Sequence, residues 1–139
     1  MEKEPLEKQK INIVWFKRDL RLTDHEPLFF AQKQSLPMLL IYCFEPSVMA
    51  YADSDIRHWR FVYESLQEMQ YKLAQLHTEI YIFHAEVLPT LQQLAHYYTI
   101  NTIFSHEEIG NKITYDRDLS VQLFCSQNKI KWTNTNTME

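Results

Sequence analysis

The chain has 139 residues, of which 45% are hydrophobic, and a formal charge of −4 at pH 7. This length allows one domain with a sizeable core, and the negative charge argues against a protein that coats nucleic acid by charge alone. No window approaches the roughly 20 apolar residues of a membrane span, and the N-terminus lacks the apolar core of a signal peptide, so we expect a cytoplasmic protein.

The glycine and cysteine content excludes several common kinds of site. The single glycine, Gly110, is too few for a Rossmann fingerprint or a P-loop, because both need glycines for close backbone approach to phosphate. Cys43 and Cys125 form no C-x-x-C pair, and no histidine cluster shows metal-ligand spacing. These patterns favour two buried free thiols and no metal site.

The first half of the chain predicts two strands and two helices. Residues 1–10 form a loose lead-in, and the apolar run from Ile11 is a strand buried on both faces that enters a cationic loop. Asp24 is the preferred N-cap of a first helix that ends near Gln34, with Thr23 and Glu26 as a rival capping box.

A second strand follows at residues 38–44, and residues 47–54 are expected to form a loop. Ser54 or Asp55 then caps a long helix to about His77. Apolar residues at three- and four-residue steps give this helix one buried face, formed by Trp59, Val62, Leu66, Met69, Leu73 and Leu76.

The second half continues the alternation of strand and helix. The predicted elements are a strand at 80–83, a helix at 86–98, a strand at 102–105, a polar loop at 106–111, a helix at 112–127 and an edge strand at 130–132. Together they predict an α/β domain over residues 11–133, with a doubly wound five-stranded parallel sheet and helices on both faces. Residues 134–139 form a polar tail, and the stop directly after the fifth strand suggests a fragment.

Residues 15–28 read WFKRDLRLTDHEPL. This stretch resembles the N-terminal signature of the DNA photolyase and cryptochrome family, W-F-[KR]-R-D-L-R-x-x-D-[NH]-x-[PA]-L. The matching residues are Trp15, Phe16, Lys17, Arg18, Asp19, Leu20, Arg21, Asp24, His25, Pro27 and Leu28. The resemblance continues through residues 57–66 and 115–118 and covers nearly the whole chain from Ile11 to Trp132.

The resemblance covers only the N-terminal α/β domain of that family, which in many members holds an antenna chromophore. It implies a parent deoxyribodipyrimidine photolyase that repairs cyclobutane pyrimidine dimers in DNA by blue-light-driven electron transfer from FAD. The helical domain that binds FAD and the damaged DNA is absent here, so the fragment alone is expected to be non-catalytic. The alternatives are a domain of a cryptochrome blue-light receptor and a stand-alone nucleotide-binding or interaction module.

Antenna pockets of this family lie at the carboxyl edge of the sheet, where open α/β sheets in general bind ligands. The candidate cofactor-binding residues at this edge are Trp15, Phe16, Lys17, Arg18, Tyr42, Cys43, Phe44, Glu45, Arg57, His58, His106, Glu107 and Glu108. Aromatic walls with a few polar groups suit a flat chromophore. For Trp15, Tyr42 and Phe44 the alternative is plain core, and for Cys43, His58 and His106 it is packing or surface.

The charged residues of this edge have structural alternatives as well. Asp19 between Arg18 and Arg21 is expected to tie the loop to neighbouring helices through charge-assisted hydrogen bonds. Glu107 or Glu108 could cap the next helix or accept N–H groups of a pterin or flavin ring.

One position bears on the identity of the antenna. Members that bind folate carry an Asn-Glu pair early in the fourth predicted helix, where this chain has Ile113 and Thr114. The resemblance therefore favours a flavin or deazaflavin antenna over folate, or no antenna, with FAD confined to the missing C-terminal domain.

Overall fold

The computed structural model describes residues 7–51, 55–108 and 110–135. In chain order these ranges contain β1 (Lys10–Phe16), α1 (Glu26–Gln32), β2 (Met38–Cys43), α2 (Pro46–Met49), α3 (Ile56–Ala74), β3 (Ile80–Phe83), α4 (Val87–Tyr97), β4 (Thr99–His106), α5 (Lys112–Gln127) and β5 (Lys131–Thr135). None of the helices in these ranges is both long and apolar enough to cross a membrane.

The five strands form one parallel sheet in the order β3-β2-β1-β4-β5. Side chains of β1 alternate between the faces: Ile13 and Trp15 join a core with α4 and α5, while Val14 and Phe16 join a core with α1 and α3. Helices therefore cover both faces, which confirms the predicted doubly wound fold. Because β1 lies at the centre of the sheet, its carboxyl end and the loop after it are surrounded by other elements.

The start of α1 differs from the prediction. Asp24 is not the N-cap; it has a positive φ of 51°, and the cap is His25, whose Nδ1 accepts a hydrogen bond from the backbone N–H of Leu28 at 3.1 Å. Pro27 still falls in the first turn, where its missing N–H costs nothing. A histidine cap is outside the usual Ser, Thr, Asp and Asn set, so residue preference pointed to the wrong neighbour.

Two other element boundaries differ from the sequence-based prediction. The segment 47–54, expected as a loop, begins with the short helix α2, which starts at Pro46; residues 52–54 lie outside the described ranges. β5 continues through Asn134 and Thr135, which the sequence pattern assigns to the polar tail. Asn134 Oδ1 accepts a hydrogen bond from Ser105 Oγ at 2.8 Å, so strand pairing with β4 supplies partners for polar residues that were expected in solvent.

The long helix α3 follows the prediction at its start. Asp55 is its N-cap and accepts a hydrogen bond from the backbone N–H of Arg57 at 2.8 Å. The predicted face is buried at Val62, Leu66, Met69 and Leu73, with Trp59 packed against the core. Leu76, however, is 70% exposed, because the helix ends at Ala74 before its face can reach that residue.

Candidate functional site

A cleft of about 610 Å³ opens at the carboxyl ends of β1 and β2, between the loop after β1, the first turns of α3 and the start of α5. Ligand sites of small molecules usually occupy 300–1,000 Å³, so its size suits an aromatic cofactor. Nine predicted site residues line it: Trp15, Phe16, Lys17, Arg18, Tyr42, Cys43, Glu45, His58 and Glu108.

The other four predicted residues do not line this cleft. Phe44 packs in the core on the α3 side of the sheet and stacks on the ring of His84 at 5.1 Å. Arg57 and Glu107 are exposed, and His106 is buried beneath the loop after β1. Most of the residues predicted at the carboxyl edge therefore line one cleft, whereas strand alternation sends other side chains at that edge to the opposite face of the sheet.

Several lining residues were not among the predicted candidates. The most consequential are Arg117, Trp59 and Arg21, accompanied by Leu20, Val48, Tyr51, Asp55, Phe61, Val62, Ser65 and Asn111. Arg117 lies in the stretch 115–118, whose resemblance to the family does not by itself assign a role to this residue. Trp59 belongs to the predicted buried face of its helix. The spacing of apolar residues cannot distinguish a residue that only packs in the core from one that also lines a cleft.

Arg117 is the centre of the charged wall of the cleft. Its Nη1 contacts Glu45 Oε1 at 2.8 Å, and its Nη2 contacts Glu108 Oε1 at 2.5 Å and Asp118 Oδ1 at 2.9 Å. Burial alone would lower the pKa of Arg117, but Glu108, Glu45 and Asp118 raise it above the ordinary value. One permanently charged guanidinium therefore holds three carboxylates from three elements together.

Glu45 and Glu108, two of the carboxylates that line the cleft, are engaged on both oxygens. Glu45 Oε2 accepts a hydrogen bond from the backbone N–H of Val87 at 3.2 Å, and Glu108 Oε2 contacts Arg18 Nε at 2.7 Å. Burial raises the pKa of Glu45 despite Arg117. In Glu108 burial acts in the same direction, but Arg117 and Arg18 outweigh it and the pKa is lowered. Neither Glu107 nor Glu108 caps α5, whose N-cap is Asn111.

Lys17 is held under the aromatic wall. Its side chain is 2% exposed, and its Nζ lies 4.4 Å from the ring centroid of Trp15 and 5.4 Å from that of Trp132. Asp118 Oδ2 and Asn134 Oδ1 lie 3.4 Å from Nζ. Burial lowers the pKa of Lys17, and Asp118 opposes this effect. Cation–π contacts and burial make Lys17 a support for Trp15.

Asp19 fastens the loop after β1, as expected, and its side-chain partners are two histidines, one of which is the N-cap of α1. It accepts hydrogen bonds from His25 Nε2, from His106 Nδ1 at 2.5 Å and from the backbone N–H of Lys17 at 2.9 Å. Burial would raise the pKa of Asp19, but these partners hold it well below the usual range. The carboxylate turns into the protein and the arginines turn outward, so the loop is tied down through two histidines.

Asp19, His25 and His106 place three potential metal-ligand atoms within 4.8 Å of one another. The hydrogen bonds argue against a metal here. His25 Nδ1 accepts the N–H of Leu28, so its proton resides on Nε2 and is donated to Asp19. A metal on Nε2 would displace that proton onto Nδ1 and break the cap of α1. We therefore interpret these residues as a buried hydrogen-bonded cluster, named here the Asp19 cluster.

Trp59 Nε1 on the cleft wall is a buried donor without a hydrogen-bond partner among the described residues. Tyr42, which is 5% exposed, also lines the cleft. Burial, followed by Glu108 and Glu45, raises the pKa of Tyr42 well above its usual value, so the hydroxyl stays protonated. Burial also raises the pKa of Cys43 to about 12, which fits a packing role for this thiol.

A family model for DNA photolyase matches residues 12–138 of the chain. A cryptochrome DASH from Synechocystis sp. is 30% identical over 117 residues, which is 80% of this chain and 24% of that protein. A deoxyribodipyrimidine photo-lyase from Synechococcus sp. is 25% identical over 111 residues, which is 80% of this chain and 22% of that protein. The chain thus spans about a quarter of the length of these relatives.

Solved structures give the same result for the fold. A Synechocystis cryptochrome superposes with a TM-score of 0.80 at 25% identity, over 92% of this chain and 27% of that one. An archaeal photolyase from Sulfolobus tokodaii superposes with a TM-score of 0.78 at 19% identity, over 91% and 29%. From the match over residues 12–138, the chain belongs to the DNA photolyase family, which includes the cryptochromes, and its fold is that of the family's N-terminal domain.

Proposed function

We propose that this chain is the antenna domain of a DNA photolyase and that its cleft holds a flavin or deazaflavin chromophore. The proposal rests on the cleft itself, which has a volume of about 610 Å³ and lies at the carboxyl edge of the sheet. Its aromatic lining is formed by Trp15, Phe16, Tyr42, Tyr51, Trp59 and Phe61. Flat aromatic walls with a few placed polar groups suit a conjugated ring.

The free donor on the wall fits a flavin ring. The pyrimidine edge of a flavin carries two carbonyl oxygens and an unprotonated ring nitrogen, which are hydrogen-bond acceptors, and one ring N–H, which is a donor. Trp59 Nε1 is a buried donor without a partner among the described residues. The Sulfolobus tokodaii photolyase is described as carrying two FAD molecules, with the implication of a novel light-harvesting cofactor, which supports a flavin as the antenna in this fold.

In the proposed parent protein, the antenna would pass excitation energy to an FAD in a separate helical domain. That FAD would then donate an electron to a cyclobutane pyrimidine dimer. This chain contributes chromophore binding, orientation and exclusion of water, whereas damaged DNA is contacted through the other domain. A cryptochrome is the second candidate, since the cryptochrome DASH from Synechocystis sp. matches the chain at 30% identity.

The proposal is tested by titrating flavin mononucleotide into the 139-residue chain and following quenching and polarisation of flavin fluorescence. Ser65 lines the cleft and is half-buried on α3, so Ser65→Trp fills the cleft and should abolish binding. The matched control is Glu64→Trp, because Glu64 is exposed on the same helix and does not line the cleft. Equal binding by Ser65→Trp and the unmodified chain would refute the cleft as the antenna site.

A further inference from the structure

We infer that the side chain of Gln70 covers the free edge of the sheet at β3 and keeps that edge from pairing with the same edge of a second copy of this chain. β3 is the outermost strand on one side of the sheet, and β2 is its neighbour. Gln70 lies on α3, outside the cleft, so this inference does not depend on a bound chromophore.

The backbone of β3 alternates between its partner strand and the open side. In a parallel ladder, the N–H and C=O of one residue point to the same side of the strand, and those of the next residue point to the other side. The carbonyl of Phe83 accepts a hydrogen bond from the N–H of Phe44 at 2.7 Å, so the backbone of Phe83 faces β2. By this alternation Tyr81 also faces β2, whereas the backbone groups of Ile80 and Ile82 point away from the sheet.

The amide of Gln70 takes the place of a neighbouring strand at Ile80. Its Nε2 donates a hydrogen bond to the carbonyl of Ile80 at 2.7 Å, and its Oε1 accepts one from the N–H of Ile80 at 2.8 Å. A side-chain amide has one donor group and one acceptor, as a peptide group has, so it can satisfy both backbone groups of one residue. While Gln70 is in place, Ile80 therefore offers neither group to another chain.

The composition of β3 makes its edge prone to pairing. The strand reads Ile-Tyr-Ile-Phe, and β-branched and aromatic residues favour extended structure. Tyr81 is 44% exposed, and a groove of about 560 Å³ lined in part by Gln70 and Tyr81 opens beside the strand. β5 at the opposite edge of the sheet reads Lys-Trp-Thr-Asn-Thr and is more polar. Because an apolar edge open to solvent pairs readily with other chains, β3 is the edge that needs a cover.

A second copy would meet this edge in an antiparallel arrangement, because two identical edges related by a two-fold axis run in opposite directions. The register that forms the most hydrogen-bonded pairs within β3 places Tyr81 opposite Tyr81 of the other copy. Ile80 of each copy then lies opposite Ile82 of the other, and these residues exchange hydrogen bonds. Each of these pairs requires the backbone groups of Ile80, so Gln70 blocks the whole register by bonding that residue.

The test compares the oligomeric state of the 139-residue chain with that of Gln70→Met, a side chain of similar size without an amide. In sedimentation equilibrium over a dilution series, we expect Gln70→Met to self-associate at least about tenfold more tightly, because both groups of Ile80 become available. Hydrogen exchange at the N–H of Ile82 should slow as this variant is concentrated, since that group becomes bonded across the interface.

The matched control is Gln67→Met. Gln67 is exposed on the same helix, and its Nε2 donates to the hydroxyl of Tyr63 at 3.2 Å rather than to a strand. It should remain as monomeric as the unmodified chain. Gln70→Ala, in which alanine favours the helix, should associate as Gln70→Met does and guards against a variant that fails to fold.

A second change in β3 tests the register itself. Tyr81→Lys combined with Gln70→Met should restore the monomer, because two lysines would lie directly opposite each other across the interface. This rescue should weaken at high salt, which screens the repulsion between exposed charges.

Self-association of both Gln70 variants with slower exchange at Ile82, reversed by Tyr81→Lys, would support the inference. Monomeric Gln70→Met and Gln70→Ala would overturn it, since Gln70 would then only fasten α3 to β3. Association without slower exchange at Ile82, or equal association of Gln67→Met, would overturn it as well. Binding of flavin mononucleotide by Gln70→Met should match that of the unmodified chain, so the proposed function is judged separately.

Discussion

Two polar clusters lie at the same edge of the sheet. In one of them the polar groups are paired within the protein, whereas the other adjoins a hydrogen-bond donor that has no partner among the described residues. In the Asp19 cluster, the carboxylate has two histidines and a backbone N–H as partners, and all three side chains are buried. The wall around Arg117 also pairs its carboxylates, but it adjoins the unpaired donor Trp59 Nε1 and exposed arginines that line a cleft. The first arrangement suits anchoring of the loop, and the second suits a ligand.

The largest loss of stability is expected from Arg117→Leu, which removes the cation at the centre of the cleft wall. This change leaves Glu45 and Glu108, whose side chains are each 6% exposed, without their shared cation. We expect the free energy of unfolding to fall by about 3–5 kcal/mol, as when one partner of a buried ion pair is removed. Urea denaturation measures it, with Arg60→Leu as an exposed control. A loss below about 1 kcal/mol would show that Arg117 is not the centre of this wall.

A smaller loss of stability is expected from Asp19→Asn, which disrupts the hydrogen bonds of the Asp19 cluster. The amide can accept from one histidine but presents a donor to the other, so we expect a loss of about 2–3 kcal/mol in the free energy of unfolding. Because Asp19 does not line the cleft, the affinity of the folded chain for flavin mononucleotide should not change. A large loss of affinity in a folded Asp19→Asn variant would contradict the division between anchoring and binding.

The same residue predicts a dependence of stability on pH. The pKa of Asp19 is lower in the folded chain than its unfolded value near 3.9, so the unfolded state binds more protons between the two values. Its stabilising contribution is therefore complete above about pH 5 and is lost as the pH falls through the folded pKa, at up to about 1.4 kcal/mol per pH unit. Urea denaturation at acid pH should show a shallower decline for Asp19→Asn.

The smallest effect is expected from Gly110→Ala at the border of the cleft. A methyl group at Gly110 would collide with Thr114 Oγ1, which donates a hydrogen bond to the carbonyl of Asn111 at 3.0 Å. Rotation of Thr114 would relieve the collision at the cost of that bond, about 1 kcal/mol of the free energy of unfolding. The double change with Thr114→Ala should recover most of the loss relative to Thr114→Ala alone. An additive double variant would refute the proposed contact.

Much of the fold could be predicted because it depends on local patterns. The bounds of β3 and α5, the cap at Asp55 and the buried face of α3 follow from periodicity and capping chemistry within a few residues of sequence. The boundaries that failed depend on side-chain partners that periodicity and capping preference do not specify. Asn134 joins β5 because Ser105 on β4 supplies a hydrogen bond, and His25 replaces Asp24 as a cap because Asp19 holds its ring.

For the candidate site, the resemblance of residues 15–28 indicated the family and the edge of the sheet, and nine of the predicted residues line the cleft there. Which charged groups are paired and which are free depends on packing between elements that are far apart in the sequence. Arg117 meets Glu45 and Glu108 across separations of 72 and 9 residues, and Asp19 meets His106 across 87. Pairings at such distances depend on how strands and helices are brought together, and hydrogen bonds act over only a few ångströms. The charged residues in the sequence therefore pointed to the carboxyl edge of the sheet. The packed fold shows which of them anchor the loop after β1 and which remain available to a ligand.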